Sequence, residues 1–180
     1  PRNMTKAAGF YNTLLEGDDP ALVVECLNGY RLKEELPTNL GEFKTPIGVV
    51  ETVKEGKDIT IISYGSTLRI VQETAKDLAQ VGIDIEIIDA QSLLPFDLNH
   101  DCVKSLAKTN KLLIVDEDVP GGASAYILQE VLEKQNGYLF HTTYTHYLDY
   151  MNQYTHFQYM GKNHYYFYKK KTNVYHDFIW

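Results

Sequence analysis

The sequence predicts an α/β domain of three layers built on a mainly parallel sheet, and two observations carry that expectation. Apolar, β-branched runs recur along the chain as "DITIISYG", "IDIEIID" and "KLLIVDE". Each is followed by a segment whose apolar residues return every three or four positions. A strand buried on both faces reads as a continuous apolar run, and strands alternating with helices require a parallel sheet with right-handed crossovers.

The elements follow in order. A helical pattern over residues 5–15 stops at Glu16-Gly17-Asp18-Asp19-Pro20, a short apolar strand "ALVVEC" comes next, and "NGYRLKEELPTNLGEFKTP" reads as a loop or linker from its glycines and prolines. "DITIISYG" passes into a helix with Leu68, Val71, Ala75 and Leu78 on one side, closed by Gly82. After "IDIEIID", the stretch "AQSLLPFD" reaches Asp97, an N-cap for a helix carrying Leu98, Cys102, Val103 and Leu106. "KLLIVDE" is the third strand, and residues 123–135 form a helix with Ile127, Leu128, Val131 and Leu132 inward. Burying a large aliphatic side chain contributes roughly 1.5 to 3 kcal/mol, so these residues are reason enough for the sheet.

From residue 138 onward the character changes. This stretch holds ten of the fourteen tyrosines, five of the six histidines and the one tryptophan. It carries +2 against −9 for the rest of a chain whose total is −7. Helical periodicity is absent, and "FHTTYTHYL" is a weak strand signal, so the expectation is an irregular, aromatic-rich tail.

Composition narrows the function. No run of about 18 apolar residues is present to span a bilayer, no basic-then-apolar leader precedes the first helix, and a net acidic chain argues against a nucleic-acid surface. The sequon Asn3-Met4-Thr5 is a chance match without a secretory signal. Cys26 and Cys102 lie far apart and read as buried thiols in a reducing cytoplasm.

Ligands gather at the carboxyl ends of parallel strands, so the loops "SYGST", "DAQSLLPFD" and "DEDVPGGAS" matter most. None carries a dinucleotide or P-loop glycine pattern. Asp116, Glu117 and Asp118 stand together with no Lys or Arg between Lys111 and Lys134. A helix N-terminus offers an anion about 0.3 to 1 kcal/mol, whereas two like charges about 4 Å apart repel by about 1 kcal/mol even in water. A phosphate is therefore disfavoured, Gly121 and Gly122 serve close backbone approach, and the acids are left as a contact for a basic partner or a neighbouring subunit. Glu16, Glu34 and Glu35 read as solvated charges and Cys102 as packing. His141, His146, His156 and His164 lack metal-ligand spacing, and Lys169, Lys170 and Lys171 make one short basic run in an acidic chain. Residues alone thus yield a Rossmann-like domain with no visible catalytic, cofactor or metal ligand set.

Five stretches taken together, "AAGFYNTLL", "DPALVVECLNGYRLKEELPTN", "GKDITIISYGSTLRIV", "GIDIEIIDAQSLLPFD" and "SLAKTNKLLIVDEDVPGGASAYIL", resemble the β half of the thiamine-diphosphate-dependent decarboxylating component of 2-oxo acid dehydrogenase complexes. They look most like the branched-chain, 2-oxoisovalerate type, including forms with α and β halves fused; the alternatives are a pyruvate dehydrogenase or transketolase-like synthase C-terminal domain, or a non-enzymatic module whose acidic loop and aromatic tail bind a protein partner. The resemblance implies a remnant of the pyrimidine-binding domain with its linker over 1–45, a transketolase C-terminal-like domain over 46–137, and an atypical tail over 138–180. It also implies that the catalytic glutamate and histidine of this family lie upstream, and that thiamine diphosphate and magnesium belong to the parent enzyme, with none expected for this part alone. The implied partners are the α subunit or half and the lipoyl acyltransferase in a homo- or hetero-oligomer, with no nucleic acid and no membrane. The turn at 14–19 is similar to a loop that holds a monovalent cation in some relatives. The tail's Tyr, His, Asn, Lys, Phe and Ile share AT-rich codons, which suggests an altered reading frame from about residue 139 and a sheet without its last strand.

Overall fold

The computed structural model describes residues 1–35, 37–117 and 122–135, together with the strands Thr142–Leu148 and Thr155–Tyr159. Helix α1 spans Met4–Leu15 and is capped by Asn3, whose side chain accepts from the Lys6 N–H at 2.9 Å. Its buried side holds Ala7, Gly9 and Phe10, and it is laced to residues 40–45. Asn12 Nδ2 donates to the carbonyls of Leu40 and Phe43, Thr13 Oγ1 donates to the Thr45 carbonyl, and the Thr45 N–H donates to the Gly9 carbonyl. Gly9 is required there, since a Cβ would lie 2.2 Å from Thr45 Oγ1 and 2.8 Å from the Phe43 ring.

The expected strand "ALVVEC" does not form. It runs without regular structure, with Leu22 and Val24 exposed by 89% and 73%, and a single 3₁₀ turn over Leu27–Arg31 follows. β-branched residues favour a pleated surface only where a neighbouring strand takes up their backbone groups, and none of the described strands lies beside this segment.

The strands are β1 (Glu51–Lys54), β2 (Ile59–Ser63), β3 (Ile85–Asp89), β4 (Lys111–Asp116), β5 (Thr142–Leu148) and β6 (Thr155–Tyr159), in the sheet order β1-β3-β2-β4-β5-β6. The four middle strands are parallel, and β1 and β6 run antiparallel at the two ends. Strand β1 was not expected: four residues with an irregularity between Thr52 and Lys54 are too few for a period to show. The tail departs from the irregular form expected of it, because two of its segments extend the sheet. Its "TTYTHYL", rich in Thr and Tyr, has the β-forming composition that pairing with β4 exploits.

Helix α2 (Gly65–Gln80) covers one face, with Leu68, Val71 and Ala75 packed against Ile61, Ile85, Ile87 and Val115. Helices α3 (Asp101–Thr109) and α4 (Ala123–Lys134) cover the other, where Cys102, Leu106, Ile127 and Val131 meet Ile62, Ile88, Leu112 and Ile114. The three layers are those predicted. Asp97 does cap α3, but from a distance: its carboxylate accepts from the N–H groups of Asp101 at 2.8 Å and Cys102 at 2.9 Å, while the N-cap position itself belongs to His100.

Candidate functional site at the carboxyl edge of the sheet

Strands β2 and β4 are neighbours whose following helices depart to opposite faces, which makes the crevice between their carboxyl ends the position where open α/β sheets hold ligands. Here the chain's own side chains occupy it. Asp116 is fully buried; its Oδ1 accepts from the Tyr64 hydroxyl at 2.5 Å and its Oδ2 from the Ser124 N–H at 3.1 Å. The N-cap of α4 is Gly122, which has no side chain to offer. Asp116, eight residues before Ser124, therefore supplies in cis the negative charge that a helix N-terminus attracts.

The outcome for the acidic loop differs residue by residue. Asp116 faces inward. Glu117 is exposed and accepts from Ser66 Oγ at 3.1 Å, so it is the described acid of the loop that a neighbour could reach. Asp118 and Gly121 lie outside the described residues. On the β2 side, Thr67 Oγ1 donates to the Tyr64 carbonyl at 2.6 Å, which leaves Ser63 Oγ to donate to Thr67 at 2.7 Å. Gly65 begins α2 with φ +57°, and a Cβ there would also meet Cys26 Sγ at 3.1 Å.

A second cluster closes the edge at β3. Asp89, 2% exposed, ends that strand directly opposite Glu51 of β1. Like charges directly opposite on antiparallel strands destabilise the pair, and Arg2 answers both. Its Nη1 lies 2.6 Å from Asp89 Oδ2 and 2.8 Å from Glu51 Oε2, and its Nη2 lies 3.1 Å from Glu51 Oε1. Lys6 Nζ adds a contact to Glu51 at 2.6 Å, and the Gln91 N–H donates to Asp89 Oδ1 at 3.1 Å. The bonds from Arg2 and then Lys6 outweigh burial and hold the Glu51 carboxyl down at about 2. Burial alone would lower the Arg2 pKa, but its bonds to Glu51 and Asp89 prevail and raise it. Nothing in the sequence singles out Arg2 or Glu51, whereas Asp89 opens the "DAQSLLPFD" loop as an acid closing an apolar strand at its ligand-bearing end.

Chemically the edge is committed. The Asp116 and Asp89 carboxylates accept from the chain's own donors, and a diphosphate brought to α4 would meet the Asp116 charge already seated there. These residues do not fit thiamine diphosphate. Among the described residues no three His, Cys, Asp or Glu side chains are grouped to hold a metal, and no helix is long and apolar enough to cross a membrane. In the 14–19 turn the Gly17 N–H donates to the Leu14 carbonyl at 3.1 Å, and the residues around it are exposed.

The remaining singled-out residues are scattered. Glu16 pairs with Lys44 at the surface, Glu34 accepts from the Met4 N–H, and Glu35 is exposed. Cys102 is buried, which is the chief cause of a thiol pKa pushed well up, whereas Cys26 is only half-buried, contrary to expectation. His146 and His156 fall within β5 and β6; His141, His164 and the three tail lysines lie outside the described residues.

The family described as "Transketolase, C-terminal domain" matches residues 48–164, past residue 138 where the resemblance in sequence ends. A pyruvate dehydrogenase E1 component subunit beta from Chlorokybus atmophyticus is 36% identical over 126 residues, which are 70% of this chain and 37% of that protein. An acetoin:2,6-dichlorophenolindophenol oxidoreductase subunit beta from Bacillus subtilis (strain 168) is 34% identical over 121 residues, 67% of this chain and 34% of that one. A solved structure of a split gene transketolase, described as an inactive beta4 tetramer, is 28% identical, with a TM-score of 0.47, and covers 52% of this chain and 31% of its own. The chain spans a little over a third of the length of the curated relatives it matches. These relatives are named for pyruvate and acetoin, not for a branched-chain acid. With the family matched over more than half its length, the chain belongs to the transketolase C-terminal domain family.

Proposed function

We propose that this chain is the carboxy-terminal part of a β-type subunit in a thiamine-diphosphate-dependent 2-oxo acid dehydrogenase component, and that it contributes assembly, not bond-making. The alignment with dehydrogenase β subunits over 70% of the chain carries the reading. The self-filled carboxyl edge supports the second half of it, since its buried carboxylates serve a helix cap and an arginine. Its partners are then the α subunit or half, the rest of its own subunit, and the lipoyl acyltransferase, with Glu117 available to a basic neighbour. Thiamine diphosphate and magnesium sit elsewhere in the assembled component.

The test mixes the purified chain with the α subunit encoded in the same genome and follows both co-elution on size exclusion and dye-coupled decarboxylation. Co-elution without turnover by the chain alone is the expected result. Turnover by the pure chain would refute the assembly role, and failure to co-elute would refute the subunit assignment. Substrate is decided on the completed component by comparing pyruvate, which relatives carry in their names, with 2-oxoisovalerate, which the sequence segments suggested.

A further inference from the structure

Helix α1 rests on the strap at 40–45, and its buried Ala7 and Phe10 belong to neither of the two cores that flank the sheet. Where this N-terminal piece meets the sheet, it does so through charge. Arg2, just ahead of the Asn3 cap, reaches Asp89 and Glu51, and Lys6 in the first turn reaches Glu51. Cys26 Sγ lies near Gly65, where an added Cβ would come within 3.1 Å of it.

We propose that Arg2 is the pin of an electrostatic joint: α1 with its strap is one piece, the α/β body is the other, and the Arg2–Asp89–Glu51–Lys6 cluster sets how the first lies on the second. Lys6 contacts Glu51 and not Asp89, so with Arg2 gone Asp89 is stranded without a cation, directly across from Glu51. A buried, unpaired carboxylate is costly, and the least disruptive relief is water. Asp89 ends its strand at the margin of the body, so lifting α1 hydrates it without opening either core. Arg2 is thus a positioning residue whose loss frees a helix while the sheet remains folded. The joint does not depend on the substrate or partners proposed above.

Hydrogen exchange on the full chain, read segment by segment, tests this. Off the body, a 12-residue helix with only its strap to lean on is marginal in water and frays, so in Arg2→Met the amides of α1 should exchange about tenfold faster or more, while those of β2, β3 and β4 change by less than about threefold. Arg2→Lys, which keeps the charge but loses the two-pronged geometry, should fall between. Asp89→Asn, which keeps the shape and removes one target of Arg2, should give the same selective loss in smaller measure, and it serves equally if Arg2→Met fails to fold. Unchanged α1 exchange, or acceleration shared equally by α1 and the sheet, would overturn the proposal.

Discussion

Replacing Asp116 measures what the self-filled carboxyl edge contributes to folding. The carboxylate, fully buried, caps α4 through the Ser124 N–H at 3.1 Å and takes the Tyr64 hydroxyl at 2.5 Å. Hydrogen bonds to a charged group contribute about 1.5 to 3 kcal/mol each, and charge at a helix N-terminus adds about 0.3 to 1 kcal/mol. The desolvation that a buried carboxylate suffers offsets part of this sum. Asp116→Ala is therefore expected to cost about 2 to 4 kcal/mol. Asp116→Asn keeps one acceptor oxygen for Ser124 and loses the charge, with an NH2 facing the Tyr64 hydroxyl, which can accept from it by rotating, so it should cost about 1 to 2 kcal/mol. Tyr64→Phe removes the hydroxyl's bond to Asp116, a loss of about 1 kcal/mol. Urea unfolding followed by circular dichroism reads all three, with the slope against denaturant unchanged if only the folded state is affected. An Asp116→Ala midpoint equal to wild type, or Asn costing more than Ala, would refute the remote-cap reasoning.

Two further outcomes follow from the geometry. A Cβ on Gly56 would sit 2.2 Å from the Ile85 carbonyl carbon and 2.3 Å from the Glu86 nitrogen, both main-chain atoms that cannot swing aside. Gly56→Ala should therefore force the β1–β3 edge apart at about 2 to 3 kcal/mol, a fall in Tm of roughly 5 to 10 °C, and an unchanged Tm would contradict the close approach. Glu51 falls from 4.5 to about 2 on folding, so its contribution is complete above pH 4.5 and is lost as pH drops toward 2. The gross value is about 3 kcal/mol, and because its side chain is 36% exposed, screening leaves about 1 to 1.5 kcal/mol. Stability measured from pH 5 downward should converge for wild type and Glu51→Gln, and a constant gap across that window would sink the assignment.

Where the sequence could be read, the cause was local. The three apolar runs became β2, β3 and β4 because a strand buried on both faces must be apolar throughout. Where it misled, the cause lay in a neighbour. "ALVVEC" has strand composition and none of the described strands beside it, while "ETVK" is a short strand held by β3. Charge counting singled out the acidic loop, and its Asp116 is seated at the N-terminus of α4. What spacing could not show is that Asp116 takes the anion's position itself, since the cap it provides skips over a glycine. Arg2 and Asp89 are 87 residues apart, and nothing in either neighbourhood announces the other. Glu86 makes the same point inside "IDIEIID": a carboxylate with no exposure in mid-strand is sustained by Thr60 and by Lys108 from a helix that follows later.

The unpaired run at 20–26 bears on how the isolated chain behaves at high concentration. Leu22 and Val24 project into solvent from a stretch with no strand beside it among the described residues, which is a template for β-addition between two copies. A net charge of −7 keeps copies apart at long range in dilute, low-salt solution. Raising the salt removes that repulsion and leaves the sticky edge, so aggregation should begin at this segment and should be quenched by a single lysine at position 22 or 24.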